Sequence, residues 1–286
     1  MNADGFRSPI DMSDAGTKAR LLDGLPRDVG GLAKVVQGLL IHEHVAPAYG
    51  VTLSAEQHAQ AHMRGVEKML DSIARQDSRP LSQARPPAER VVGVCRHFTL
   101  LHVAMLRRQG VAARARCGFG AYFEKGKFID HWVTEYWNES AQRWVLVDAQ
   151  LDQRQRELFG IAFDPLDVPR DQFVVAGDAW QLCRGGKADP GAFGILDMHG
   201  LWFIAGNVIR DVAALNNHEM LPWDVWGMMT LQEEPDAAAS SLTDAVAGVI
   251  SGDDTNGVRR VYEDNEGLRV PEKVFDARFH VVHSLA

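Results

Sequence analysis

Cys95 opens the run CRHFTLLHVAMLRRQG, in which Phe98, Leu101, Met105 and Leu106 recur at helical spacing and Gly110 suits a left-handed end. The run predicts a helix that begins at the cysteine. A thiol in that place meets unpaired backbone N–H groups and the positive end of the helix dipole, which favour the thiolate. The same N–H groups can hold an oxyanion once sulfur has attacked a carbonyl carbon. Taken alone, a cysteine is more often a small buried hydrophobe, so the reading turns on what else the sequence supplies.

It supplies His131 and Asp148. Residues 113–123, 128–137 and 143–149 are rich in aromatic and β-branched side chains and are separated by the turn-like EKGK and NESA, a pattern that predicts three antiparallel strands. A turn centred between Glu139 and Ser140 sets His131 opposite Asp148, Val133 opposite Leu146 and Glu135 opposite Trp144. Opposed side chains share a face, with Cβ atoms about 4.5–5.5 Å apart. The aspartate can then accept from one imidazole nitrogen and leave the other for the thiol. Cys95, His131 and Asp148 would serve as nucleophile, base and orienter, the logic of a catalytic triad. A register slip of one residue would undo this by moving the pair to opposite faces.

The elements around these residues read as follows. Residues 1–27 look like a loosely ordered, flexible arm. Leu32, Val35, Val36, Leu39 and Leu40 predict an amphipathic helix over 31–45. Ser54 and Gln57 have capping-box spacing and start a second helix, expected to run through Met63, Val66, Met69 and Ile73. Residues 200–216 and 221–231 read as buried helical or mixed segments, and 232–241 as an acidic, alanine-rich linker. The expected organisation is an arm (1–27), a catalytic domain (28–231, motif core 91–150) and a linker with a C-terminal extension (232–286). Trp132, beside His131, together with Asn207 and Trp223, are candidate substrate contacts, because pockets mix aromatic and polar groups in this way.

Composition narrows the classes. The chain has 286 residues and a formal net charge of -8, without a basic block, so phosphate tracking along nucleic acid is not expected. Three widely spaced cysteines make neither a disulfide framework nor a Cys-x-x-Cys zinc site. The first residues lack an apolar signal core and no run is long enough to span a membrane, so a cytoplasmic, bacterial-type protein is expected. His58 and His62, four apart on a predicted helix, could share a zinc ion, but no glutamate stands between them as in His-Glu-x-x-His. A zinc hydrolase is the weaker rival, and neither metal nor cofactor is expected. Oligomeric state leaves no mark on the sequence.

Four ordered stretches resemble the transglutaminase-like superfamily: Gly93–Phe98, then Gly110–Arg114 with Gly118 and Phe119, then His131–Tyr136, then Trp144–Asp148. The resemblance covers about 91–150. It implies an α+β, papain-like core, the cysteine helix packed on an antiparallel sheet that carries histidine and aspartate, with extra N- and C-terminal helical segments. It also implies that Cys95 is the nucleophile, His131 the general base and Asp148 its partner. The family often has tryptophan two places after the histidine, where this chain has Val133, and an Asp-Pro-Thr-like ending, where this chain has Asp148, Ala149 and Gln150. The implied activity is that of a thiol hydrolase or small-molecule acyltransferase. Its substrate would be a small-molecule or peptide amide or ester, with an amine as a possible acceptor. From another class, a catalytically silent relative would use the same cleft for binding.

Overall fold

The computed structural model describes residues 4–252 and 254–285, and its helices and sheets make an α+β protein. The chain divides into two compact units. Among the described residues, one takes in 4–115 and 132–169, the other 116–131 and those from 170 on.

In the first unit, α1 (Val29–Leu39) starts on Asp28, whose carboxylate accepts the Gly31 N–H at 2.7 Å. It buries Leu32, Val35, Val36 and Leu39. The helix does not continue to Val45, as periodicity predicts. The chain straightens into β1 (Leu40–His42), which pairs in parallel with β2 (Val91–Gly93), so that His42 faces Gly93. That partner lies far along the chain, and no local pattern announces it.

The capping box at Ser54 and Gln57 forms as expected and starts α2 (Ala55–Ala59). The long helix expected behind it breaks. A 3-10 turn covers Gln60–His62, Met63 is extended (φ -69°, ψ 122°), and α3 (Val66–Gln76) restarts after an extended Gly65. The break frees the Met63 carbonyl from a helical partner. Helix α4 (Cys95–Arg108) begins at the cysteine, and every residue from Cys95 to Arg107 is buried.

The chain then enters β3 (Ala113–Gly120) and β4 (Phe128–Asn138), which run through the division between the units, and returns along β5 (Arg143–Val147) to α5 (Gln153–Phe159). The β4–β5 register corrects the expected one. Glu135 faces Leu146, Trp137 faces Trp144, and the ladder ends at Thr134 and Val147. Continued by one pair it would set Asp148 across from Val133, and the expected pairing with His131 is not formed. The cause is the loop, which has four residues, Glu139 to Gln142. Asn138 Oδ1 accepts from the N–H groups of Ser140 and Ala141, each at 3.0 Å, and Gln142 closes the loop at φ 50°. The resulting shift of two residues leaves each side chain on its expected face, since strands alternate with period two.

The N-terminal stretch is packed against this unit instead of standing off as an arm. Phe6, Ser13, Leu22 and Leu25 are buried, the Phe6 ring meets Trp144 edge-on at 5.9 Å, and Arg107 donates to Ser13 Oγ at 2.8 Å.

The second unit adds β6 (Phe173–Val175), α6 (Ala176–Arg184), β7 (Phe193–Ile195), β8 (Met198–His199), α7 (Leu201–Ala214) and β9 (Asp224–Val225). It closes with α8 (Ala237–Ile250), α9 (Thr255–Asp264), β10 (Lys273–Asp276) and β11 (Val281–Ser284). Its main sheet has the order β6-β3-β4-β7-β8. Gly118 of β3 lets β6 approach, because a Cβ there would lie 2.3 Å from the Val174 carbonyl oxygen. Helices α6, α7 and α8 pack on one another, and β9, β10 and β11 form a small sheet. The stretch read as a linker is partly helix, since α8 starts at Ala237 on an Asp236 cap. The chain passes between the units at 115/116, 131/132 and 169/170. Among the described residues no helix is long and apolar enough to cross a membrane.

Candidate active site

Cys95 is the first residue of α4 and is buried. Its helix breaks the usual rule for a start. The N-cap is Val94, whose side chain carries no oxygen, and no side chain caps the first turn. A helix start built in this way leaves N–H groups and the dipole's positive end beside the sulfur.

The backbone leading to Cys95 is tied at three consecutive residues. Val92 N–H donates to Gln60 Oε1 at 2.8 Å, Gly93 O accepts from Glu43 N–H at 3.0 Å, and Val94 N–H donates to His97 Nδ1 at 3.2 Å. The other nitrogen of His97 lies 2.9 Å from the Met63 carbonyl oxygen. A carbonyl only accepts and a backbone N–H only donates, so the imidazole carries its proton on Nε2. Burial, reinforced by the neighbouring Arg96 charge, holds the His97 pKa down to about 3, and the ring is neutral. Gly93 has no side chain because His97 covers it: a Cβ there would meet the His97 Cβ at 2.8 Å. Sequence reasoning treats His97 as a packing or solvent-facing residue. The signal that finds it is its spacing, three residues after the N-cap, where a capping-box side chain reaches back.

Asp148, in the same unit as Cys95, follows β5 and is 1% exposed. Its N–H donates to the Pro165 carbonyl at 2.8 Å, and its Oδ1 accepts the Gln150 N–H at 3.0 Å. Gln150 in turn donates from its side chain to Gln155 at 2.9 Å, so a buried amide chain extends from the segment that carries the aspartate. His131 belongs to the other unit, where it is the last residue of β4 before the division. There it is buried among aromatic rings, with Phe123 at 4.8 Å, Tyr122 at 6.0 Å and Phe173 at 6.3 Å between centroids. The three candidate residues are thus each buried: Cys95 starts α4 and Asp148 directly follows β5 in one unit, and His131 lies within β4 in the other.

The remaining candidates are placed as follows. Trp132 is 1% exposed, and its indole N–H has no hydrogen-bond partner among the described residues. Asn207 on α7 has both ends of its amide engaged: it donates to Asp130 at 2.7 Å and accepts from Arg210 at 3.2 Å. Burial pushes the Asp130 carboxyl above its ordinary range, against the pull of Arg210 and Asn207. Trp223 lies under the Arg278 guanidinium, 4.9 Å from its ring centre. His58 contacts Glu43 at 3.4 Å, and the helix break separates it from His62 on a different turn. Among the described residues no group of three His, Cys, Asp or Glu side chains is placed to hold a metal ion.

The other two cysteines have different surroundings. Cys117 is fully buried in β3, and its N–H donates to Asp211 at 2.8 Å. Cys183 lies near the end of α6, where burial and the Asp189 charge push its thiol up to about 11. A thiol at a helix end with a raised pKa is the opposite of an activated one.

Compared with known families, residues 50–149 match the model described as the Transglutaminase-like superfamily, and that span contains Cys95, His131 and Asp148. That stretch is therefore similar to a transglutaminase-like domain, whose fold is papain-like. No curated protein and no solved structure gives a significant match.

Proposed function

We propose that the chain is a cysteine-dependent acyl-transfer enzyme, in which Cys95 is the nucleophile, His131 the general base and acid, and Asp148 the orienting carboxylate. The observation that carries this reading is the start of α4: a buried cysteine at the first helical position, behind a valine N-cap that leaves the first turn without a side-chain cap, inside a stretch similar to a transglutaminase-like domain. The sulfur attacks the carbonyl carbon of a small amide, peptide or ester. The thiol proton passes to His131 and then to the departing amine or alcohol as the C–N or C–O bond breaks. The oxyanion of the tetrahedral intermediate accepts from N–H groups at the helix start. Water or a small amine then attacks the thioacyl carbon, gives its proton to His131 and releases the sulfur.

Among the three substrate candidates, the unclaimed indole N–H of Trp132 supports a polar contact, whereas the engaged amide of Asn207 supports a part in holding α7 to β4. The test is selective thiol labelling followed by intact-mass and peptide mapping. Iodoacetamide is expected to modify Cys95 ahead of Cys117 and Cys183 with a pH-dependent rate, and a chelator is expected to leave turnover unchanged. Equal labelling of the three cysteines in the folded protein would favour the catalytically silent, cleft-binding relative. Chelator inhibition restored by zinc would favour the metal hydrolase.

A further inference from the structure

We infer that His97 is a positioning residue for Cys95: held in one tautomer between the Val94 N–H and the Met63 carbonyl, its imidazole fixes the backbone that delivers the sulfur and the first N–H of α4. The inference rests on Cys95 being the nucleophile. It assigns a role to a histidine that stands apart from the proposed triad.

The start of α4 lacks a polar cap. A polar N-cap side chain would set the entry angle of the chain, but it would do so by accepting from the first turn, where donors to an oxyanion are needed. The Val94 side chain takes nothing from that turn, and among the described residues its carbonyl accepts only the His97 N–H at 2.8 Å, two residues beyond Cys95. The geometry must then be set from another direction, and the donor that remains for this purpose is the N–H of Val94 itself. His97 takes it at 3.2 Å, three residues on, and anchors its own ring through Nε2–H to Met63 O at 2.9 Å. That carbonyl is available because the helix expected through Met63 breaks there. The ring is rigid, fully enclosed and stacked over Gly93, where any larger residue would displace it. An imidazole suits this place because it offers an acceptor and a donor on opposite sides of one planar group. It performs that role only while neutral, and its burial keeps it so.

Two substitutions separate the two hydrogen bonds. In His97→Asn the amide oxygen reaches the position of Nδ1 and can accept from Val94, but Met63 is lost. In His97→Gln the amide nitrogen reaches the position of Nε2 and can donate to Met63, but Val94 is left without its acceptor. The readout is the rate of Cys95 alkylation by iodoacetamide against pH in the full-length protein, with Cys117 labelling as the control for unfolding. We expect His97→Asn to stay within about threefold of wild type, and His97→Gln to slow by about tenfold or more with a shifted pH profile. Equal rates in both variants and the wild type would overturn the inference, as would equal losses in both.

Should either variant fail to fold, nitrogen NMR of the wild-type ring decides. A neutral Nε2–H tautomer that does not titrate between about pH 5 and 9 supports the assignment, and an Nδ1–H tautomer or a midpoint in that range overturns it. A wild-type Cys95 no more reactive than Cys117 would instead overturn the nucleophile reading and this inference with it. A reactive Cys95 that ignores position 97 overturns this inference alone.

Discussion

Helices α4 and α5 lie in one unit and begin in opposite ways. At α5 the N-cap is Asp152, whose carboxylate accepts the Gln155 N–H at 3.0 Å and the Tyr49 hydroxyl at 2.8 Å. At α4 the N-cap is Val94, and the third residue of the helix, His97, reaches back to it. The two starts use the two halves of a capping box separately. The half used at α5 satisfies the first turn from within the chain, and Gln155 turns its side chain away to Gln150 and Tyr49. The half used at α4 fixes the chain's entry and takes nothing from the first turn. The first arrangement optimises a helix, and the second keeps a helix end available. Departures from local rules of this kind concentrate where a site is built.

The comparison is broken most directly at Cys95. Cys95→Ala should lower turnover by on the order of a thousandfold or more while the melting temperature stays close to wild type, because alanine is a good helix residue and only the sulfur is lost. Parallel activity and melting measurements check this, and activity within tenfold of wild type would remove Cys95 from the mechanism.

Asp148→Asn should leave both helix starts intact, since the amide oxygen can still accept the Gln150 N–H. Turnover should nevertheless fall by roughly 10²–10⁴-fold, because an amide neither stabilises an imidazolium nor enforces one tautomer. A neutral result would make the aspartate structural only.

Acid should act through the histidines of α4. His97 and His102 are buried and neutral, with pKa values brought from 6.5 down to about 3 and about 4, in both cases mainly by burial. Between those values and 6.5 the unfolded chain binds protons that the folded chain does not, so stability rises with pH there. It should be fully present above about pH 6.5 and fall by on the order of several kcal/mol as pH drops toward 3. Denaturant melts at a series of pH values give the slope, and a flat profile from pH 7 to about 4 would contradict neutral burial.

The capped start supplies a smaller effect and a control. Asp152→Ala should cost about 1–2 kcal/mol, as loss of an N-cap does, without changing the alkylation rate of Cys95. Val94→Thr sharpens the comparison most finely. It places a hydroxyl where α5 has its carboxylate, and should slow Cys95 alkylation by a few fold while leaving stability the same or slightly higher. Faster alkylation would show that the open first turn does not promote the reactivity of Cys95.

Sequence reasoning recovers the features that neighbours along the chain decide. The start of α4 at Cys95, the left-handed Gly110, the Ser54–Gln57 box and the presence of β3, β4 and β5 are all written in local spacing. It misses what distant partners decide. Leu40–His42 carries the apolar pattern of a continuing helix, yet becomes a strand because Val91–Gly93 offers a parallel ladder. Met63 fits the face of a helix, but the chain opens there, and its carbonyl meets an imidazole 34 residues away. The β4–β5 loop is lengthened by side-chain hydrogen bonds from Asn138 that a hydropathy pattern does not contain. The face of each strand survives that error, because a shift of two preserves alternation, but the expected pair does not. The same limit applies to His97, whose role depends on the valine before the cysteine and on the break behind it.

The passage of β3 and β4 through the division between units also has a consequence during synthesis. Neither unit is a single run of chain: residues 116–131 interrupt one and belong to the other. As the polypeptide leaves the ribosome, the helix that carries Cys95 is complete well before the return strand that precedes Asp148. The segment with His131 emerges between the two, and waits for β6 to supply the partner of Gly118–Gly120. At about 5–20 residues per second, the interval between the appearance of Cys95 and that of residue 286 is roughly 10–40 seconds. Throughout that interval the thiol exists on a chain in which at least one unit lacks its full complement of strands. A nascent chain of this design completes the helix that carries Cys95, the proposed nucleophile, well before the unit that holds His131, the proposed base.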